Sequence, residues 1–351
     1  MRDVLSVVLI VARNRRLARL VVSYGLFITT EYAIWIAMLV FAYARGGSRE
    51  AGLVALAQLL PAAVLAPFLS TVADRRPPVR LLVSGYVTQA VGMAATGAVI
   101  YANWSPLLAY AAAVVASTAV VTVRPGQAPL VPGLSNSTRE LTSANVALGW
   151  IENAGIVTAG ALTGLLLAVA SVGLIFVLSA GLALAAVILV LPLGTAPLAL
   201  ESDHGQPIKE VVGAVRLLAS LRRPRLLVGL LTAEWVVVGA LDVLFVVLAI
   251  DFLERGQAWV GYLNTAYGVG GVLAGAAAAT LVGRRLGAPI IATGIVLSLA
   301  LGLATVAREP VAMVAILVVV GGGRAVFDIA TRTLLQRAVP AEVIGRVLGV
   351  V

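Results

Sequence analysis

Sixteen acidic and 25 basic side chains supply the charge of this 351-residue chain, and a few of them stand inside long apolar runs. Glu31, Glu152, Glu234, Asp242, Asp328 and Arg324 all lie in such runs, and Arg124 closes another. An ionised side chain at mid-bilayer costs about 2.5–3.5 kcal/mol on insertion scales, so each needs a partner, water or a proton. The chemistry open to a carboxyl in that setting is reversible protonation or cation binding. Glu31 and Asp242 are the leading candidates for it, with Glu234 as a third; the alternative is an acid hydrogen-bonded between helices without a transport role. Arg324 and Asp328 are spaced i, i+4 on one helical face, which predicts mutual neutralisation. That pair is either purely structural or opens when a proton or an anionic substrate competes for Arg324. Glu152, close after Trp150, is expected to reach Arg124.

Other chemistries are excluded by what is missing. The chain has no cysteine and one histidine, His204. Disulfides and thiolate metal sites therefore have no residues to build them, a single imidazole nearly excludes histidine metal sites and Ser/His/Asp triads, and no nucleophile motif appears. The expectation is neither an enzyme nor a cofactor protein.

The elements that must position these residues follow from hydropathy. Hydrophobic residues make up 61%, charged residues 12%, and mean hydropathy is +1.04, a composition that belongs to membranes. About ten stretches reach spanning length: 20–43, 51–73, 81–101, 107–123, 144–170, 172–192, 226–250, 259–282, 289–306 and 311–330. They are continuously apolar, which selects helices over barrel strands of alternating polarity. Counting bases in alternate loops assigns 20 to one side and 4 to the other, predicting a cytoplasmic N-terminus. The net charge of +9 is thus a loop property, and a nucleic-acid partner is not expected. The expected organisation is a six-helix bundle over 1–193, a cytoplasmic linker over 194–225 with a surface helix, and an incomplete second bundle over 226–351.

The chain repeats itself. A shift of 209 residues brings Gly52 onto Gly261, Thr71 onto Thr280, Arg75 onto Arg284, Arg76 onto Arg285 and Gly85 onto Gly294; a shift of 208 brings Arg124 onto Arg332 and Pro132 onto Pro340. Apolar similarity alone does not align loop arginines, so two halves related by a parallel duplication are predicted. In this register Val351 matches Thr142, ahead of the fifth run, and the expectation is a chain lacking two spans of its second half.

A six-plus-six duplication with a basic loop after the second span resembles the major facilitator superfamily. The loop Ser70-Thr71-Val72-Ala73-Asp74-Arg75-Arg76-Pro77-Pro78-Val79-Arg80 is similar to that family's Gly-x-Leu-Ala-Asp-Arg-x-Gly-Arg-Arg signature. Asp74 and Arg75 match it, while Ser70 replaces the first glycine and two prolines interrupt the basic end. The resemblance implies a loop of Asp74, Arg75 and Arg80 that locks one conformation, a cavity between two bundles, and a bacterial inner-membrane carrier, multi-pass in the lipid bilayer. Glu31-Tyr32-Ala33-Ile34-Trp35, Arg124-Pro125-Gly126-Gln127-Ala128 and the segment 333–340 resemble a branch often fused to a cyclic-nucleotide-binding domain; this sequence contains none. Span five reads Ala159-Gly160-Ala161-Leu162-Thr163-Gly164 where antiporters of the family carry a Gly-Pro pattern.

Gly160 and Gly164, and likewise Gly271 and Gly275, have the spacing that lets helices approach closely; the resemblance implies that their helices meet across the halves. The clusters Gly268/Gly270/Gly271 and Gly321-Gly322-Gly323 follow no strand, so helix flexibility is expected rather than nucleotide binding. The functional expectation is a secondary active transporter working by alternating access, with proton-coupled export of small molecules. The rival is a non-transporting membrane scaffold, a regulatory input module or an inactive fragment.

Overall fold

The computed structural model describes residues 2–73, 76–194, 222–277 and 287–338, and these are helical with no strand among them. Helices α1 (Arg2–Arg13), α2 (Arg15–Ala73), α3 (Pro78–Tyr101), α4 (Pro106–Ser117), α5 (Val120–Gln127), α6 (Leu130–Leu134), α7 (Thr138–Val169) and α8 (Val172–Val190) come first. They are followed by α9 (Arg222–Val247), α10 (Ala258–Ala277), α11 (Gly287–Ala304) and α12 (Pro310–Ala338). A π-helical turn, Leu248–Phe252, extends α9. Among the described residues eight helices are long and apolar enough to cross a membrane.

Within the described residues each of the ten apolar stretches falls on a helix, with two departures from the simplest reading. The first two stretches run together as α2, broken at Gly46 and Gly47. Gly47 takes φ 63°, ψ −157°, open to a residue without Cβ. Beside it the Arg45 guanidinium lies 3.4 Å from the Phe41 ring centroid and donates to the Phe41 carbonyl at 3.0 Å, while the Tyr110 hydroxyl donates to Glu50. The fourth stretch is divided between α4 and α5 at Thr118–Ala119, and Pro125 sits inside α5. Prolines open α3 and α4 in their first turns, where a missing N–H costs nothing. The surface helix expected over 208–221 and the loop residues Asp74 and Arg75 lie outside the described residues; Arg80 is exposed in the first turn of α3.

The chain divides into two compact units, Met1–Ser202 and Asp203–Val351. In the first, α2 and α3 pack on α8, α2 also packs on α7, and α4 and α5 lie against both α2 and α3. Its core gathers Leu17, Leu20, Phe27, Ile28, Leu82 and Tyr86, all at most 1% exposed. In the second, α12 packs on α9, α10 and α11. Under the 208–209 register α12 is the counterpart of α4–α5, α10 of the second part of α2, and α11 of α3. In each unit the element that this register makes the fourth packs on the earlier ones. Outward faces carry Leu53, Leu56, Leu59 and Leu60 on α2 and Ile291, Ile295 and Leu299 on α11, all more than half exposed, which is a surface made for acyl chains rather than water.

Candidate functional site

Each unit holds a cluster of acids, arginine and tyrosine among its apolar helices. In the first unit Tyr24 and Glu31, seven residues apart, share a face of α2 because seven residues are nearly two helical turns. Tyr24 is 3% exposed, and its hydroxyl donates to Glu152 Oε1 on α7 at 2.6 Å. Arg124, from α5, reaches the same oxygen with Nη1 at 3.4 Å. One carboxylate oxygen thus joins three helices. Arg124 and Glu152 are about half exposed, at 48% and 47% of their side-chain surface, so their attraction is screened and worth about 0–1 kcal/mol. Glu31 differs: its Oε2 is buried and meets no hydrogen-bond donor among the described residues. Arg124 and Glu152 are the charges that act on it.

In the second unit Glu234, on α9, is 7% exposed. Arg324 on α12 donates from Nε to Glu234 Oε1 at 2.9 Å, and side-chain exposures of 20% and 4% make this the most enclosed ion pair among the described residues. Trp235 covers the same arginine, its ring centroid 5.3 Å from the guanidinium carbon. Glu234 Oε2 is buried without a hydrogen-bond partner among the described residues, and the Tyr267 hydroxyl is buried within the reach of Arg324. Asp242, half-buried one helical stretch further along α9, acts electrostatically on Tyr267.

The pairing expected between Arg324 and Asp328 is not the one formed. Arg324 turns across to α9, and Asp328 instead accepts from Arg332 Nε at 2.7 Å, again i, i+4 on α12. The physical reason is desolvation: Glu234 is the more deeply enclosed acid and needs the cation more, whereas Asp328 has a second arginine one turn away. Arg332 is also the residue that the duplication places opposite Arg124, so equivalent arginines pair differently in the two units, with α7 in one and within α12 in the other.

The glycines also differ from expectation. Gly275 is exposed with nothing within 4 Å of an added Cβ, and Gly271 touches only the Gly321 carbonyl at 3.9 Å. The close approach is made one residue away: a Cβ on Gly270 would collide with the Val318 carbonyl, and one on Gly321 with the Tyr267 carbonyl. The run Gly321–Gly323 is a packing surface, facing α10 at Gly321 and Gly322 and α11 at Gly323, not a flexible joint. Gly160 and Gly164 occupy buried positions of α7.

Sequence reasoning missed Tyr24, Trp235 and Tyr267. Tyrosine and tryptophan in apolar helices read as packing, and only the i, i+7 spacing of Tyr24 from Glu31 marked one of them. Among the described residues no group of three or more Asp, Glu, His or Cys side chains is arranged to hold a metal ion.

The sequence profile described as Major Facilitator Superfamily matches residues 20–351. No curated protein matches the chain. Among solved structures, the nucleoside transporter NupG superposes with a TM-score of 0.72 at 14% identity, covering 94% of this chain and 85% of its own. A bacterial homologue of the iron transporter ferroportin, in an inward-facing state, gives 0.67 at 18% identity, covering 96% and 87%. A bacterial homologue of the lysosomal transporter Spinster, inward-facing and unoccupied, gives 0.72 at 12%, covering 96% and 78%. At these identities the likeness is one of fold.

Proposed function

This chain belongs to the Major Facilitator Superfamily, a family of membrane transporters rather than enzymes, and on that premise we propose that it is a secondary carrier that exchanges protons for a small molecule by alternating access, in the direction of export. One observation carries the proton-coupled part of the reading. Each unit keeps a buried carboxyl oxygen that meets no hydrogen-bond donor among the described residues, Glu31 Oε2 in one and Glu234 Oε2 in the other, each within electrostatic reach of an arginine. A proton taken up at Glu234 removes a buried negative charge and frees Arg324 to hold a different anion or to release its helix, and one taken up at Glu31 leaves Glu152 as the acid that balances Arg124. Asp242 adds a third acid, and Asp328 with Arg332 gives Arg324 an alternative carboxylate one turn along α12.

Asp74, Arg75 and Arg80 are assigned to the conformational lock on the strength of the signature they match, with Gly160 and Gly164 as packing positions in α7. The excess of arginine in alternate loops supports a bacterial inner-membrane protein with a cytoplasmic N-terminus.

The test uses everted membrane vesicles containing this chain, energised to a pH gradient followed by acridine orange. Amphipathic cations, nucleosides and organic acids are added in turn. A proton-coupled exporter dissipates the gradient when its own substrate arrives, and Glu31→Gln and Glu234→Gln abolish that response. A compound carried downhill by purified protein at one rate with or without a gradient, and unaffected by either substitution, overturns the coupling. A chain that moves none of them, yet retains its fold, returns the scaffold reading.

A further inference from the structure

The N-terminal helix α1 is apolar on two sides. Val7 and Val11 pack onto the core of the first unit, Val11 being 6% exposed. At about 100° per residue, Val8, Ala12 and Leu9 fill the adjoining outward arc, with Val8 52% and Leu9 50% exposed. A helix with apolar residues on its outer face has an apolar neighbour or is poorly placed in water. That arc ends at Arg13, and Arg15, Arg16 and Arg19 follow, all four exposed. Leu17 and Leu20 are fully buried and occupy the inner face of the first turns of α2, which leaves Arg16 and Arg19, three apart, on one outer face. Among the described residues none of the four arginines forms an ion pair.

The elbow between α1 and α2 is built rather than loose. Asn14 Nδ2 donates to the Leu134 carbonyl at 2.8 Å and to Glu140 Oε2 at 2.9 Å, and Asn14 Oδ1 accepts from the Leu17 N–H at 3.2 Å. The same Glu140 oxygen accepts from the Asn136 N–H at 2.9 Å, and Ser137 caps α7 by accepting from the Glu140 N–H. The arginines are therefore held at a fixed place, directly before the apolar run that begins at Leu20.

We propose that α1 and its elbow form a docking surface for the anionic lipid headgroups of the bilayer in which α2 stands. Val8 and Leu9 lie at the acyl boundary and the four arginines meet the phosphates. Charge complementarity selects an anionic partner, since guanidinium groups bind phosphate through paired N–H donors and basic clusters next to a span attract anionic lipid. The apolar arc selects a lipid surface over nucleic acid, which offers phosphates without an acyl layer.

The chain has no cysteine, so Leu9→Cys carries a single polarity-sensitive dye on the whole protein. The protein is placed in nanodiscs of phosphatidylcholine alone or mixed with phosphatidylglycerol. The expected result is a blue-shifted spectrum, quenched by nitroxide-labelled lipid, that strengthens with phosphatidylglycerol and weakens with salt. Changing Arg13, Arg15, Arg16 and Arg19 together to Gln removes the phosphatidylglycerol-dependent part, and changing them to Lys keeps most of it. The proposal is overturned by an aqueous spectrum in both lipids. It is equally overturned by a phosphatidylglycerol response that survives in the folded Gln variant, or by a response that an oligoribonucleotide elicits and phosphatidylglycerol does not.

Discussion

Arg324 Nε lies 2.9 Å from Glu234 Oε1, tying α12 to α9 through the most enclosed ion pair among the described residues. Removing one member of a buried pair leaves the other charged and alone, at a cost of about 3–5 kcal/mol. Arg324→Ala is therefore expected to lower the thermal midpoint of the detergent-solubilised protein markedly. Arg324→Ala with Glu234→Gln recovers much of that loss, because the stranded charge is gone. An additive double variant counts against the pairing.

The pair in the first unit behaves differently, because water reaches it. With both side chains about half exposed, Arg124→Ala is expected to shift stability by no more than about 1 kcal/mol. Tyr24→Phe removes a 2.6 Å hydrogen bond and costs about 1–3 kcal/mol, as expected for a hydrogen bond to a charged group. Transport is the informative readout. The exchange Arg124→Glu with Glu152→Arg is expected to restore transport that either single change removes, and an inactive exchange in a folded protein rejects a functional contact.

Gly321→Ala is expected to destabilise the protein by roughly 1–3 kcal/mol, since the new methyl group meets the Tyr267 carbonyl, backbone rather than the end of a flexible side chain. Gly275→Ala meets nothing within 4 Å and is expected to be neutral or mildly stabilising, by up to about 1 kcal/mol, through helix propensity. Melting curves in one detergent decide between the two positions directly, and equal effects contradict the packing described for Gly321.

Ser137→Ala leaves the Glu140 N–H uncapped at the start of α7 and is expected to cost about 1 kcal/mol. Asn14→Ala frees the elbow between α1 and α2, which hydrogen exchange detects as faster exchange in residues 2–20 while α8 is unchanged. Equal rates in the two proteins remove Asn14 from that role.

The helices were readable because they are written in apolar length, a pattern that tertiary contacts do not alter. Arg124 and Glu152 were readable as neighbours because they end one run and enter the next. The partner of Arg324 was not, since helical spacing sees only its own helix, and Glu234 lies 90 positions away on α9. Asn14 escaped notice for the opposite reason. A lone asparagine among arginines carries no pattern, and its role exists only where Leu134 and Glu140 return to meet it. The glycines were found by motif but assigned one residue out of place on α10, because Gly-x-x-x-Gly spacing marks a face without saying which neighbour presses closest.

That close approach has a mechanical meaning. With only hydrogen atoms between the backbones at Gly270 and Gly321, α10 and α12 have no side chain to part them at that crossing. The spacing of the two helices at that crossing is set by the glycines themselves, and any side chain placed there has to push the helices apart.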